Sequence, residues 1–234
     1  MKPLVVIPVR GGSKGIPNKN IKKLKGKPLI EYTLDAAKEV FPIEQICIST
    51  DSVEIKNVAE KNGLEVPFLR PDELATDTAS TYDVLIHALE FYEKKGYSPE
   101  VVIILQATSP FRGAKHILEA LKLFDDEMDM LVSVKETKSN PYYVLFEEDN
   151  NGWLVKSKSG DFTRRQDCPQ VWEYNGAIYI INTESLRKSS ILNFQKIKKY
   201  VMEDVNSLDL DTPLDWMIAE KLLETKEFVR ALNQ

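Results

Sequence analysis

Histidine and cysteine are scarce in this chain, with two of each in 234 residues. Cys47 and Cys168 lie far apart, in neither a CxxC pair nor a zinc-like spacing. That excludes a disulfide framework and a thiolate metal site, and it fits a reducing compartment. Cys47 sits in the apolar run QICIST and reads as a small core residue. His87 and His116 fall within or at the start of helical patterns, so neither offers the base of a Ser-His-Asp or Cys-His arrangement. Whatever chemistry the chain performs should not need imidazole. No apolar run approaches the roughly 20 residues of a membrane span. The N-terminal run is short and meets Arg10 at once, so it reads as neither a span nor a secretory leader. A cytoplasmic location with no membrane partner is therefore expected. An excess of basic charge is also missing, since 31 Lys and Arg face 36 Asp and Glu, a net charge of -5. That argues against nucleic acid as the main partner.

What remains is ordinary globular composition, 43% hydrophobic and 29% charged, with no repeat, low-complexity tract or linker. The length suits one domain spanning residues 1–234. In the first half, strand-like and helix-like segments alternate. Residues 4–9 (LVVIPV), 46–50 (ICIST), 101–105 (VVIIL) and 130–134 read as strands, with 65–69 as a further one. Residues 28–40, 53–62, 80–94 and 115–124 carry apolar residues at helical spacing. The alternation predicts an α/β, Rossmann-like fold: a mostly parallel sheet flanked by helices. The second half changes character. Residues 142–147 and 153–156 predict a hairpin around Asp149–Gly152, an excursion from the main sheet. The core pattern resumes at 176–181 (GAIYII), and 211–223 reads as a final helix opened by an N-cap Asp and a Pro.

In such sheets ligands bind beyond the carboxyl ends of the strands, so the polar segments after the apolar runs are the candidate sites. The first, RGGSKGIPNKN at 10–20, combines exposed backbone N–H groups with Arg10, Lys14 and Lys19. It suits a phosphate but is neither a Walker A loop nor a GxGxxG fingerprint. A solvated turn would also account for it. Ser49-Thr50-Asp51 follows the second run, and there Asp51 or Ser52 reads as the cap of the next helix. In RPDELATDTAS at 70–80, Asp77, Thr78 or Ser80 can cap in the same way. Gln106-Ala107-Thr108-Ser109-Pro110-Phe111-Arg112 offers an amide, two hydroxyls and an arginine to a base or a sugar, or else forms a capped turn. In Asp209-Leu210-Asp211, extended geometry puts both carboxylates on one face. The pair suits Mg²⁺ with substrate phosphates. The alternative is a helix cap at Asp211 beside a solvated Asp209.

Taken in order, these segments resemble the acylneuraminate cytidylyltransferases, the CMP-sialic acid synthetases. The segments that carry the likeness are residues 8–20, Ser49-Thr50-Asp51, residues 70–80, residues 105–112, Arg165-Gln166, Asn175-Gly176-Ala177-Ile178-Tyr179 and Asp209-Leu210-Asp211. Each is modest alone; their shared order across nearly the whole chain is specific. The resemblance implies a fold of the nucleotide-diphospho-sugar transferase type. It implies a reaction in which the anomeric hydroxyl of a nine-carbon 2-keto sugar acid attacks the α-phosphorus of CTP and pyrophosphate leaves. It gives Arg10, Ser13, Lys14 and Asn20 to the nucleotide, Ser80 to its cytosine and ribose side, and Gln106, Thr108 and Ser109 to the sugar. Arg165 would pair with a substrate anion, and Asp209 and Asp211 would hold Mg²⁺. Catalysis would then rest on Arg10, Lys14, Asp209 and Asp211. The resemblance also implies a homodimer in which an inserted segment, approximately 138–168, swaps across to the partner's site. Tyr142, Tyr143, Phe146 and Trp153 supply its apolar surface.

The Kdo cytidylyltransferases share the fold but favour an Arg-Leu-Pro-Gly-Lys type of loop, which this chain lacks. Within the sialic-acid branch, N-acetylneuraminate, legionaminate, pseudaminate and deaminated acids remain open, and residues 135–143 bear on that choice. A nucleotidyltransferase for another sugar, or a silent nucleotide- or sugar-binding protein of the same fold, are the competing readings.

Overall fold

The computed structural model describes residues 1–76, 78–225 and 228; Asp77, one of the expected caps, lies outside the described residues. The apolar runs form the centre of a six-stranded sheet. Its strands are β1 (Pro3–Pro8), β4 (Ile46–Ser49), β5 (Val101–Leu105), β6 (Met130–Glu136), β9 (Trp172–Asn182) and β10 (Ile197–Val201), in the order β10-β6-β9-β5-β1-β4. β4, β1 and β5 run parallel, as do β6 and β10, while β9 is antiparallel to both of its neighbours. Helices pack on both faces. Side-chain alternation along β1 shows why: Val5 and Ile7 enter one layer and Leu4 and Val6 the other. The first layer includes residues of α1 (Leu29–Lys38), α2 (Val53–Lys61) and α4 (Ala114–Leu123). The second includes residues of α3 (Thr81–Lys94) and α5 (Thr183–Lys188).

α6 (Pro213–Glu224) lies apart from these layers. Its Trp216 and Ala219 join Ile16, Leu24, Leu29, Phe111 and Leu210 in a small satellite core beneath the first loop. Two short hairpins complete the chain, one from β2 (Lys23–Leu24) and β3 (Lys27–Pro28), the other from β7 (Phe146–Glu148) and β8 (Leu154–Lys156).

Three expectations need correction, and one is decided between its alternatives. Residues 65–69 form no strand; Pro67 removes a ladder donor there, and the chain instead delivers Arg70, whose N–H bonds to Thr50 O at 2.7 Å. The final helix is capped by Thr212, not Asp211, in a reciprocal pair with Asp215. Ser52 caps α2, and Asp51 instead accepts from Gly11 N at 2.9 Å. Tyr142 precedes its hairpin, in a turn where it packs edge-on against Phe162. The hairpin at 146–156, the excursion and the α/β class stand as read, and Ser80 does cap α3.

Candidate active site

A cleft of about 1130 Å³ opens beyond the carboxyl ends of β1 and β5. The first loop forms one wall, bringing Arg10, Ser13, Lys14, Lys19 and Asn20 to the cavity. Two ties set its path. Gly11 N donates to Asp51, and Asn20 Nδ2 donates to Arg10 O at 3.1 Å, so the loop's ends are pinned to the sheet and to each other. Gly15 is required by close approach: a Cβ there would sit 2.1 Å from Asp211 O.

The segment carrying Asp209 and Asp211 adjoins this loop and lines the cleft beside it. Leu210 N donates to Thr108 O at 2.9 Å, which stitches this segment to the end of β5. Leu210 points into the satellite core, while the residues on either side of it line the cleft. The extended reading of the pair is therefore the observed one. Asp209 is partly buried, and its Oδ1 has no hydrogen-bond partner. Burial raises its carboxyl above the usual carboxylate range, with Asp211 adding to the rise and Thr108 and Lys19 opposing it. Asp211 Oδ1 accepts from Lys19 Nζ at 2.7 Å.

Behind Asp209, β9 carries an irregularity. The register against β6 slips between Val132 and Val134, leaving residues 175–178 of β9 bowed out. Gly176 there has φ +75, and a Cβ would lie 3.9 Å from Asp209 Oδ2. Asn175 fills the bow. Its Oδ1 accepts from Ser133 Oγ at 2.6 Å and its Nδ2 donates to Ser207 Oγ at 2.9 Å, all three side chains being buried. The NGAIY motif is thus the brace that sets the height of the Asp209 segment.

The sequence candidates divide accordingly. Arg10, Ser13, Lys14, Asn20, Gln106, Thr108, Asp209 and Asp211 converge on the cleft. Three do not. Ser109 is buried and does not line the cleft; its Oγ points into the fold, away from any sugar. Ser80 spends its Oγ on the cap of α3, accepting from Asp83 N and donating to the Asp83 carboxylate, while its neighbours Ala79 and Thr81 face the cavity. Arg165 sits exposed on a short turn of the excursion and does not line its own chain's cleft. Arg112, offered earlier as a sugar contact, is fully buried. It donates to Thr33 Oγ1 and to Gln106 O, and burial without an acidic partner pushes its guanidinium down to about 9. Its role is to fix the strand end that presents Gln106.

Lys19 enters the cleft as one of the counter-charges read in the first loop, and Lys135 and Lys138 line it from the segment read as bearing on the choice of sugar. Arg70 was not singled out as a site residue from the sequence. It is buried, donates to Ser49 Oγ at 3.1 Å and to Ser49 O, and faces the cleft. An arginine before proline carries no local address; only its delivery by the loop after α2 shows where it points. Neither histidine lines the cleft.

The pair of carboxylates is suited to Mg²⁺. Among the described residues no group of three or more His, Cys, Asp and Glu side chains is placed to hold a metal. Mg²⁺ accepts one or two carboxylates and completes its shell with phosphate oxygens and water. A buried carboxylate oxygen without a donor, at Asp209, is the kind of ligand such an ion satisfies. A basic loop and an acidic segment meeting at one cavity suit a nucleoside triphosphate and its counter-ion.

Comparison with known proteins agrees. A family model described as cytidylyltransferase matches residues 4–231. The chain belongs to the cytidylyltransferase family. It is 34% identical to the CMP-N,N'-diacetyllegionaminic acid synthase of Legionella pneumophila, covering 97% of this chain and 98% of that one. It is 37% identical to the post-translational flagellin modification protein B of Campylobacter coli, over 95% of each. The N-acylneuraminate cytidylyltransferase of Streptococcus agalactiae serotype V is 36% identical, but this cytidylyltransferase spans only 52% of its length. Among solved structures, a CMP:2-keto-3-deoxy-manno-octonic acid synthetase complexed with CTP superimposes with a TM-score of 0.71 at 17% identity, covering 96% and 99% of the two chains. At that identity the likeness establishes the fold.

Proposed function

We propose that this cytidylyltransferase couples CTP to a nine-carbon, sialic-acid-type 2-keto sugar acid, releasing pyrophosphate and the CMP-sugar. The observation that carries the proposal is the cleft itself, where the Arg10–Asn20 loop meets Asp209 and Asp211. Relatives named for legionaminic and acylneuraminic acids support the sugar class. Of those acids, legionaminate is favoured, because a relative matched end to end is named for it.

Arg10, Lys14 and Lys19 offset the triphosphate charge as the loop's backbone N–H groups approach the phosphates. Gln106 and Thr108, at the end of β5, orient the sugar so that its anomeric oxygen lies in line with the α-phosphorus. That oxygen forms the new bond, the bond to pyrophosphate breaks, and the hydroxyl proton passes to solvent. Asp209 and Asp211 would hold Mg²⁺. When bound, the ion supplies charge neutralisation at the phosphates and lowers the pKa of the attacking hydroxyl. No imidazole is needed, which accords with a cleft that lacks one.

We also read the protein as a cytoplasmic homodimer. No helix among the described residues is long and apolar enough to cross a membrane. In the excursion Trp153 is 72% and Leu154 70% exposed, beside exposed Val144, Leu145, Phe146 and Val155. A second copy covering this patch would bring Arg165 towards the neighbouring cleft, where it could meet the sugar's carboxylate.

The test is pyrophosphate release with Mg²⁺, each of four nucleoside triphosphates, and a panel of eight- and nine-carbon keto acids. Release that requires CTP, Mg²⁺ and a nine-carbon acid supports the reading. Release with Kdo or another nucleotide overturns the substrate assignment, and loss of release in EDTA checks the metal.

A further inference from the structure

Lys19 and Asp211 are 192 residues apart, yet their charged ends meet at 2.7 Å inside the cleft. Lys19 is buried, which is unusual for a lysine without a task. Its ammonium also lies within electrostatic reach of Asp209 and Asp215. Gly15 fixes the geometry, because its close contact with Asp211 O holds the lysine loop against the acidic segment.

A divalent ion approaching Asp211 meets an ammonium already bound to one of its two oxygens, and the two cations repel each other at that range. A triphosphate entering along the same loop offers Lys19 another anion. We propose that Lys19 is a charge switch: it occupies Asp211 until the nucleotide draws it away, so that metal binding at this carboxylate depends on prior or joint binding of the triphosphate. The switch would keep the site from filling with a divalent ion that brings no nucleotide. The inference rests on the reading of Asp209 and Asp211 as the metal-facing pair.

The experiment measures Mn²⁺ binding to nucleotide-free protein by electron paramagnetic resonance of free Mn²⁺. Lys19→Met and Lys19→Gln should each bind Mn²⁺ about tenfold more tightly than the unaltered protein, and Lys19→Arg should keep the weak binding. Equal affinity in the unaltered, Met and Gln proteins overturns the switch. Asp209→Asn and Asp211→Asn separate the two ideas. Should the tighter Mn²⁺ binding of Lys19→Met persist when Asp211 is also Asn, the metal-site reading falls and the switch with it. Should binding depend on Asp211 but not on Lys19, only the switch falls. The reciprocal measurement needs no lysine variant: in EDTA, Asp211→Asn should bind CTP several-fold more tightly, because Lys19 is released in advance. That gain should vanish in a Lys19→Met background, and its persistence there would count against the switch.

Discussion

Asp211 shows how one side chain can be read two ways until its neighbours are known. As a helix cap, its loss would cost about 1 kcal/mol. Thr212 holds that position instead, and Asp211 is ion-paired with Lys19, with its own side chain 68% exposed. Asp211→Ala should therefore lose turnover by a hundredfold or more, a rough scale for losing a direct ligand of the reacting phosphates. Its thermal midpoint should stay close to that of the unaltered protein; a large fall would mean that the pair is structural. Cys47 makes the opposite case, a reactive residue type made inert by its surroundings. Burial pushes its thiol up to about 12 from an ordinary 9.0, with Tyr92 and Arg70 opposing the rise. The protonated thiol is the form the fold prefers. Its contribution to stability is whole below pH 9.0 and is lost as pH rises towards 12. In Cys168→Ser protein, a disulfide reagent at pH 8 should find no accessible thiol until denaturant is added. Labelling of the folded protein would show that the core opens at Cys47.

Among the elements, β9 has the most effect on the site. Asn175 bridges Ser133 and Ser207 and accepts from Ala177 N, so Asn175→Ala takes that partner from the buried Ser207 hydroxyl and the Ala177 N–H and should cost about 1–3 kcal/mol. It should also lower turnover beyond what stability explains, because the Asp209 segment loses its brace; denaturant unfolding and kinetics on the same sample would separate the two effects. How much of this was legible follows from the physics of each element. The parallel strands β1, β4 and β5 are buried on both faces and appear as unbroken apolar runs. The amphipathic helices show their period for the same reason. β10 (IKKYV) was missed because it is an edge strand with only Tyr200 buried, and its lysines look like a solvated loop. The bow in β9 was invisible in detail, since a glycine inside a strand signals a bulge but not what the bulge supports. Within the site, the candidates presented by strand ends line the cleft. Ser80 and Ser109 do not line it, because one hydroxyl caps α3 and the other is buried, and neither placement is written in the motif.

At the scale of the molecule, the hairpin of β7 and β8 stands out, since every residue in both strands is exposed. An isolated two-stranded hairpin is marginal in water. In the proposed dimer Trp153 and Leu154 would be buried against the second copy, which would steady it. Replacing both with Glu should shift the protein to a monomer by light scattering. If Arg165 serves the neighbouring cleft, the monomer's KM for the sugar acid should rise while CTP binding is spared. A monomeric unaltered protein would remove the dimer from the account.

The meeting of Gly15 with Asp211 has a further bearing on how the protein is made. The basic loop leaves the ribosome before the acidic segment, which follows almost two hundred residues later. At roughly 5–20 residues per second, that separation is on the order of 10–40 s. Throughout that interval the nascent chain carries a cationic, glycine-rich loop whose carboxylate counterpart has not yet been synthesised. Until it arrives, the loop is exposed to the phosphates of the ribosome and of cellular nucleotides. A ribosome-bound chain stalled before residue 207 should hold triphosphates loosely and without regard to magnesium, and discrimination should arise only when the acidic segment emerges.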